Sequence, residues 1–323
     1  MFEKLKNKKI LVTGGAGFIG TNLIKKLLDI GCKKIRATYH NREPIIIDKN
    51  VEYIKCDLVN KKDCEKITKD IDYVIMGAAN SHGAAFIEKH PLDLVTPNVI
   101  MNLLMLESSY KNNVEKFIFL SSNTVYPVVD YPVNEEEMME GNVFEKYYGV
   151  AWGKRYSEIL CKTYSTKIKN PMKTIVIRPA NLYGNYEDFE WETSHVIPAL
   201  IRKVVERHSP IEVWGDGSDI KDFTYIDDFI NGLLMAIEKI EEFTQVNIGT
   251  GIGRSIREVL NIILEIENYN GANIVFNKSK PTMIPKRILD ISKAKFLLGY
   301  EPKIDIQEGL EKTIKWYKEN KNL

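Results

Sequence analysis

Three glycines near the start of the chain have the spacing of a phosphate-binding turn. Gly14, Gly17 and Gly20 follow an apolar, β-branched run and precede an amphipathic helical pattern. Gly14 permits a sharp turn, Gly17 lets the backbone approach a pyrophosphate, and Gly20 lets the helix lie close to the strand. The helix start, with Phe18 and Ile19, offers unpaired N–H groups and a partial positive charge. The chain is therefore predicted to bind a dinucleotide; the alternative is an ordinary glycine turn of an α/β protein.

The tip of the second predicted strand indicates which dinucleotide is bound. A carboxylate about 20 residues after the glycines would hold the ribose 2′-OH of NAD. Residues 38–42 contain no carboxylate, whereas His40 and Arg42 can meet a 2′-phosphate. We predict NADP as the cofactor, with NAD as the alternative. Arg42 can equally be a solvated loop charge.

Two further strand ends are predicted to line the cofactor. Asp57 and Leu58 follow the third strand, where Asp57 either accepts a hydrogen bond from the adenine amino group or caps the next helix. Ala78 and Ala79 follow the fourth strand, and their small side chains suit close passage of a cofactor.

The elements that must position these residues alternate along the chain. Strands are predicted at residues 9–13, 35–39, 51–55, 73–76, 116–121 and 174–178, and later at 211–214 and 245–248. Helices are predicted at residues 21–30, 61–69, 97–112, 148–164, 196–207, 226–240 and 256–267. This α/β order predicts a doubly wound parallel sheet of the Rossmann type. Residues 1–180 are predicted to form the dinucleotide-binding domain. Residues 181–323 are predicted to form mostly a smaller C-terminal α/β substrate-binding region, with some segments returning to the sheet.

Composition narrows the class of protein. The chain has 323 residues, 44% of them hydrophobic, and its 45 Lys and Arg nearly balance 44 Asp and Glu. This charge balance does not predict nucleic-acid binding. We expect no signal peptide and no membrane span. We also expect no metal site, because the four cysteines lack metal-ligand spacing. A cytoplasmic protein with reduced cysteines is expected.

A second group of residues carries a resemblance to a known family. Ser121 and Ser122 end a buried strand, and Tyr148 and Lys154 lie later at the start of a helical pattern. Together with the glycine motif, this order resembles the extended short-chain dehydrogenase/reductase family, which includes nucleotide-sugar epimerases, dehydratases and reductases. The resemblance covers essentially the whole chain. It is strongest to the GDP-L-fucose synthase group, in segments 121–127, 194–203 and 213–217.

The resemblance implies roles for individual residues. In this family a tyrosine exchanges a proton with the sugar hydroxyl during hydride transfer, and a lysine one helical turn later holds the ribose. Ser122 matches the hydroxyl that bonds the reacting oxygen, and Lys154 matches the lysine. His195 matches a histidine that assists protonation during epimerisation. The alternatives are a strand-end hydroxyl for Ser122 and a structural or solvated histidine for His195.

The tyrosine motif departs from the family pattern. If Lys154 is the family lysine, Val150 occupies the tyrosine position; if Tyr148 is the family tyrosine, Trp152 occupies the lysine position. We favour Lys154 as the lysine, with Tyr148 as the acid or base, and with Thr124 or His195 as other candidates. Tyr148 as a packed aromatic is the alternative. Asn123 and Thr124 replace the Asp-Glu pair of the family's 4,6-dehydratases, so dehydration is not expected.

The resemblance also implies a nucleotide-diphosphate sugar as substrate and a homodimer formed by the helices at 97–112 and 148–164. The predicted substrate contacts are Thr124, Asn181, Lys203, Trp214, Lys221 and Arg287. The remaining predicted cofactor contacts are Lys154, Asn98 and Pro179. Trp214 either stacks on the base or fills the core of the smaller region.

Three functions remain open at this point. The first is an NAD(P)-dependent epimerase/reductase acting through a 4-keto sugar, on a GDP-linked substrate. The second is a UDP-sugar C4-epimerase with tightly bound NAD. The third is a dinucleotide-binding protein without turnover.

Overall fold

A parallel sheet of seven strands forms the centre of the protein. The structure is a computed structural model that describes residues 2–81, 83–280 and 282–320. The strands are β1 (Ile10–Thr13), β2 (Ile35–Tyr39), β3 (Val51–Lys55), β4 (Tyr73–Met76), β5 (Lys116–Leu120), β6 (Lys173–Pro179), β7 (Asn181–Tyr183), β8 (Ile211–Trp214), β9 (Ile220–Tyr225), β10 (Thr244–Ile248), β11 (Gly253–Ser255), β12 (Ile274–Asn277) and β13 (Lys286–Arg287). The sheet order is β10-β6-β5-β4-β1-β2-β3. The predicted Rossmann fold is therefore confirmed.

Helices cover both faces of this sheet. They are α1 (Glu3–Lys6), α2 (Phe18–Asp29), α3 (Lys61–Ile67), α4 (Ala84–Lys89), α5 (Thr96–Lys111), α6 (Tyr148–Thr166), α7 (Val196–Val205), α8 (Ile226–Lys239), α9 (Ile256–Ile266), α10 (Ser292–Leu298) and α11 (Ile306–Asn320). Short 3₁₀ turns span Pro91–Leu94, Asn123–Val125, Glu135–Met139 and Glu145–Tyr147. On β1, Ile10 and Val12 join one hydrophobic cluster and Leu11 joins the other. Burial on both faces explains the nearly continuous apolar runs of the central strands.

The chain reverses its direction across the sheet between β1 and β4. Strands β1, β2 and β3 run outward on one side, and β4, β5, β6 and β10 then build the other side. Ligands of open α/β sheets bind in the crevice at such a reversal, beyond the carboxyl ends of the strands. The glycine turn lies at the end of β1, and the Ser121–Ser122 segment follows β5. The topology thus brings both sequence motifs to the same edge of the sheet.

Two small sheets lie outside the main one. Strand β9 pairs with β11, β13 and β7, while β8 pairs with β12. Residues 245–248 belong to β10 and join the main sheet beside β6, as anticipated for some later segments. The division into two domains at residue 180 stays a prediction. The sequence did not predict β7, β9, β11, β12 or β13. Strands β7, β11 and β13 have only two or three residues, too few to carry a periodicity, whereas β9 and β12 were missed despite an ordinary length.

Within the described residues, no helix is long and apolar enough to cross a membrane.

Candidate active site

The glycine turn has the geometry of a phosphate-binding loop. Gly14 adopts φ +71°, a left-handed conformation that favours glycine, and the N–H of Gly17 donates to the carbonyl of Gly14 at 3.0 Å. Helix α2 then starts at Phe18. A Cβ on Gly20 would lie 2.8 Å from the Cα of Gly15, so only glycine lets α2 sit this close to the turn. This arrangement leaves the first amides of α2 facing the crevice and fits the pyrophosphate of a dinucleotide.

Two threonines that sequence reasoning missed fix the shape of this turn. Oγ1 of Thr13 accepts hydrogen bonds from the N–H groups of Gly77 at 3.0 Å and Ala78 at 3.1 Å. Oγ1 of Thr38 accepts from the N–H of Gly14 at 3.2 Å. Their position at strand ends beside the glycine motif was the available signal. They tie the ends of β1, β2 and β4 into one rim of the crevice.

The tip of β2 presents positive charge to solvent. His40 and Arg42 are both exposed, and Arg42 makes no hydrogen bond or ion pair within the described chain. At the end of β3, Leu58 is buried, and Oδ1 of Asp57 accepts from the N–H of Val59 at 3.1 Å. The helix-cap alternative for Asp57 is wrong, because the cap of α3 is Asn60.

The loop after β4 is held by Asn98 of α5. The Asn98 carboxamide accepts from the N–H of Asn80 at 2.8 Å and donates to the Asn80 carbonyl at 2.9 Å and the Leu94 carbonyl at 2.7 Å. Asn98 is 8% exposed, so its predicted direct contact with a cofactor conflicts with this geometry. It fixes the backbone that follows Ala78 and Ala79 instead.

Ser122 is oriented by Thr124. Oγ of Ser122 accepts from the N–H of Thr124 at 3.1 Å and from the Thr124 hydroxyl at 2.9 Å. Because these two donors occupy its oxygen, the hydroxyl proton of Ser122 is left to donate to another group. Thr124 therefore orients the Ser122 hydroxyl, and the hydrogen bonds of the pair strengthen one another.

Lys154 reaches this same strand end from α6. Its Nζ donates to the carbonyl of Leu120 at 2.7 Å and lies 4.7 Å from the ring centre of Phe119. Desolvation lowers the pKa of Lys154 to about 8, while the carboxylate of Glu158 opposes this shift. The structure thus brings Lys154 and the Ser122 segment together at the end of β5.

The aromatic residues near the start of α6 differ in where they lie relative to Lys154. Tyr148 is 58% exposed, and its ring centre lies 6.3 Å from that of Trp152. At about 100° per residue, Tyr148 stands roughly 120° around the helix from Lys154. Tyr147 lies outside α6, in the 3₁₀ turn that precedes it, and is half-buried. Burial raises the pKa of Tyr147 to about 12. Tyr147 is thus a candidate phenol that sequence reasoning missed, and its available signal was its place next to Tyr148.

His195 immediately precedes α7 and is exposed. The neighbouring carbonyl of Thr193 accepts from the N–H of Gly83 at 2.9 Å. Because residue 83 belongs to the loop after β4, this contact holds the His195 segment at the edge of the crevice.

Asn181 is also held at the crevice, next to the serine segment. Nδ2 of Asn123 donates to Oδ1 of Asn181 at 3.0 Å and to the carbonyl of Pro179 at 3.2 Å. The end of β6 and the 3₁₀ turn after Ser122 are thereby joined.

The predicted phosphate-binding cations are more buried than expected. Nζ of Lys203 donates to the carbonyl of Glu212 at 2.6 Å, and Lys280 lies over the ring of Trp214. Lys221 is 8% exposed; it donates to the carbonyl of Ile284 and pairs with Asp219 at 3.4 Å. This conflicts with Lys221 as a free phosphate ligand, because its charge is already engaged.

Arg287 differs from these lysines. Its Nη2 donates to the carbonyls of Tyr126 at 3.2 Å and Pro127 at 2.9 Å. Its Nε and Nη1 have no hydrogen-bond partner among the described residues. Burial lowers the pKa of Arg287 to about 10. Such a group is expected to attract an anion.

The model of the NAD dependent epimerase/dehydratase family matches residues 10–249. The chain belongs to this family. A relative, the GDP-L-fucose synthase of Sinorhizobium fredii, is 31% identical over 98% of this chain and 97% of its own. The expected family membership is thereby confirmed.

Two solved structures of epimerase-type enzymes resemble the fold. The Thermotoga maritima UDP-glucose 4-epimerase with UDP-glucose has a TM-score of 0.86 at 28% identity, covering 97% of this chain and 99% of that one. The Campylobacter jejuni GDP-D-glycero-L-gluco-heptose synthase, determined in the presence of NADPH, has a TM-score of 0.81 at 26% identity, covering 98% and 99%.

Proposed function

We propose that this protein is an NAD(P)-dependent nucleotide-sugar epimerase/reductase that acts through a 4-keto sugar on a GDP-linked substrate. The observation that carries the proposal is the meeting of Ser122 and Lys154 at the end of β5, on the crevice edge that holds the glycine turn. Similarity to a GDP-L-fucose synthase and to a GDP-heptose synthase supports the GDP-linked substrate.

Each residue has a proposed task in this reaction. The turn at Gly14, Gly17 and Gly20 holds the pyrophosphate, and Lys154 holds the nicotinamide ribose. When bound, the dinucleotide supplies the hydride acceptor or donor. The Ser122 proton bonds the C4 oxygen of the sugar and stabilises charge that develops there. His195 exchanges a proton at the carbon next to the ketone, a task suited to an imidazole near neutral pH.

NADP is the proposed cofactor. Its support is the pair of exposed basic side chains, His40 and Arg42, at the tip of β2 where NAD enzymes use a carboxylate. Arg42→Ala should raise the Kd of NADPH at least about tenfold and leave the Kd of NADH unchanged. Equal weakening for both dinucleotides would contradict this assignment.

The proton donor for the C4 oxygen is proposed to be Tyr148, with Tyr147 as the competitor. Tyr148→Phe should lower kcat about 100-fold or more, whereas Tyr147→Phe should be close to wild type. The opposite result assigns the task to Tyr147, the residue directly before α6. Equal activity of both variants would reject a tyrosine donor.

The substrate experiment decides the overall proposal. Purified protein is mixed with NADPH and a panel of GDP- and UDP-linked 4-keto sugars, and absorbance at 340 nm is followed together with product analysis. Oxidation of NADPH with a GDP-linked substrate is expected, and Lys154→Ala should abolish it. No turnover with any substrate would leave the dinucleotide-binding alternative, which Val150 at the tyrosine position favours.

A UDP-sugar C4-epimerase is the second candidate. Similarity to the Thermotoga maritima enzyme favours it. Such an enzyme retains NAD, so mass spectrometry of the cofactor released from purified protein distinguishes the two.

We also propose a homodimer that forms through α5 and α6. Large apolar side chains are exposed on these helices: Trp152 at 37%, Tyr156 at 50% and Ile159 at 43% on α6, with Ile100 at 36% on α5. Tyr156→Glu should convert the dimer to a monomer in sedimentation experiments, because it buries a charge in an apolar contact. The proposed cytoplasmic location suits the four unpaired cysteines.

A further inference from the structure

A buried carboxylate lies directly behind the proposed catalytic residues. Glu158 is 1% exposed and follows Lys154 by four residues on α6, about one helical turn. The hydroxyl of Ser121 donates to Oε1 of Glu158. Ser121 and Ser122 thus face opposite ways at the strand end: Ser121 faces α6, and Ser122 faces Thr124.

Helix α6 is therefore attached to the end of β5 at two points. Lys154 donates to the carbonyl of Leu120, and Glu158 accepts from the next residue, Ser121. Two bonds one turn apart fix both the rotation and the height of the helix against the strand. They determine where the Lys154 ammonium stands relative to Ser122.

Glu158 also balances charge in this buried region. Nε of Arg178, on β6, donates to the two Glu158 oxygens at 3.1 and 3.2 Å, and Arg178 is fully buried. Nη1 of Arg178 donates to the Tyr126 hydroxyl at 2.9 Å and to the Glu135 carbonyl at 2.7 Å. The other titratable groups packed around Lys154 and Glu158 are Arg155 and Cys161 on α6 itself. Lys154, Arg155 and Arg178 are the cations of this region, and Glu158 forms an ion pair with Nη2 of Arg178 at 2.5 Å and lies one helical turn from Lys154.

We propose that Glu158 is a positioning residue that fixes Lys154 against the Ser121–Ser122 segment and keeps its ammonium charged. The proposal rests on the proposed function for the role of Lys154 in turnover, but the placement and charge of Lys154 can be tested without turnover. Two variants separate the two parts. Glu158→Gln removes the charge, and Ser121→Ala removes one attachment point without changing the charge.

The first experiment titrates Lys154 directly. Protein with ¹³C-labelled lysine is followed by NMR from pH 6 to 11 without substrate, with the Lys154 signal assigned from Lys154→Arg. The Lys154 pKa, which desolvation sets to about 8 in the wild type, should fall by about 1 unit in Glu158→Gln. Glu135→Gln is the matched control: Glu135 is also buried, but its carboxylate bonds the N–H of Asn247 on β10 and not Ser121 or Arg178. An unchanged midpoint in Glu158→Gln overturns the charge role.

The second experiment measures the attachment. In Ser121→Ala the rate of hydride transfer should fall about tenfold while KM for the nucleotide sugar and the titration of Lys154 stay unchanged. A wild-type rate overturns the positioning role. If Glu158→Gln does not fold, Glu158→Asp keeps the charge on a shorter side chain. It should leave the titration midpoint of Lys154 as in the wild type and lose rate as Ser121→Ala does, and a lowered midpoint would overturn the proposal. If no nucleotide sugar is turned over by the wild type, the proposed function fails, and the titration still decides the charge role.

Discussion

Replacing Gly20 with alanine tests the cofactor-binding turn at its tightest point. A Cβ there would lie 2.8 Å from the Cα of Gly15 and 2.9 Å from the carbonyl carbon of Gly14, whereas ordinary carbon contacts begin near 3.4 Å. The carbonyl oxygen of Gly14 would be closer still, and all three obstacles are backbone atoms, so α2 must move away by about 1 Å. Overpacking of this kind costs about 1–3 kcal/mol, which the better helix propensity of alanine offsets by about 1 kcal/mol.

The larger effect is expected on binding. The amides at the start of α2 would leave their positions against the pyrophosphate, and hydrogen bonds to a charged group contribute about 1.5–3 kcal/mol each. The Kd of NADPH, measured by its fluorescence on binding, should therefore rise at least about tenfold, which corresponds to about 1.4 kcal/mol. Urea unfolding of the same samples gives the change in stability.

A matched control separates crowding from binding. Gly232, in α8, would place a Cβ 2.9 Å from side-chain atoms of Ile248 and Tyr300. Gly232→Ala should change stability by a similar or smaller amount, since side chains yield more easily than backbone, and should leave the Kd of NADPH unchanged. The reasoning is refuted if Gly20→Ala binds NADPH like the wild type, or if both variants lose affinity equally.

Three further changes have expected outcomes. The carboxylate of Glu187 is buried, and neither of its oxygens has a hydrogen-bond partner among the described residues. Burial therefore raises the pKa of Glu187 well above its usual value. As pH rises, this carboxyl ionises in the unfolded chain before it ionises in the folded one, so the wild type loses stability above about pH 4.3. Glu187→Gln should not show this loss. The thermal midpoint of the variant minus that of the wild type should therefore be larger at pH 8 than at pH 5, and an equal difference at both pH values would contradict the prediction. Asp222 accepts from the N–H of Thr250 at 3.0 Å and of Gly251 at 3.0 Å, so Asp222→Ala should cost about 2–4 kcal/mol in urea unfolding; a loss below 0.5 kcal/mol would show that the loop repacks. Val150→Tyr restores the family spacing to Lys154 and, added to Tyr148→Phe, should recover part of the lost rate of hydride transfer with a 4-keto sugar, measured at 340 nm. No recovery would mean that a phenol at residue 150 does not reach the C4 oxygen.

Much of the main sheet was predictable because its central strands β1, β4 and β5 are buried on both faces. The strands at 35–39, 51–55 and 73–76 match the structure residue for residue, and the others differ at their ends by one residue or two. Helix α2 begins at Phe18 rather than residue 21, because its first turn is the glycine motif itself. Residues 245–248 joined the main sheet, a placement that only the packing of β10 against β6 determines.

The candidate site was predicted less evenly. Ser122 and Lys154 meet at the end of β5, and the segment before His195 contacts the loop after β4, while their roles stay predictions. Lys221 was predicted to contact the substrate, but its ammonium is bonded to Asp219, two residues earlier in the chain, and to the carbonyl of Ile284, which the short pairing of β13 with β9 brings to it. Asn98 was expected to touch the cofactor and instead holds the loop backbone at Asn80. A charged or polar residue in a sequence indicates that a hydrogen-bond or ionic partner is needed, but the sequence does not identify that partner.

The sequence by itself determined the parts of this protein whose physics is local. The turn at Gly14, the tight seat of Gly20 and the helical spacing of Lys154 and Glu158 follow from backbone conformation, sterics and the pitch of a helix. The tertiary structure alone decided which of two adjacent serines turns to Glu158 and which to the crevice, and that Arg178 completes the buried charge cluster. These contacts join residues at the end of β5, on α6 and on β6. Desolvation in the packed interior determines the strength of the charge interactions among them, and no local sequence pattern encodes it.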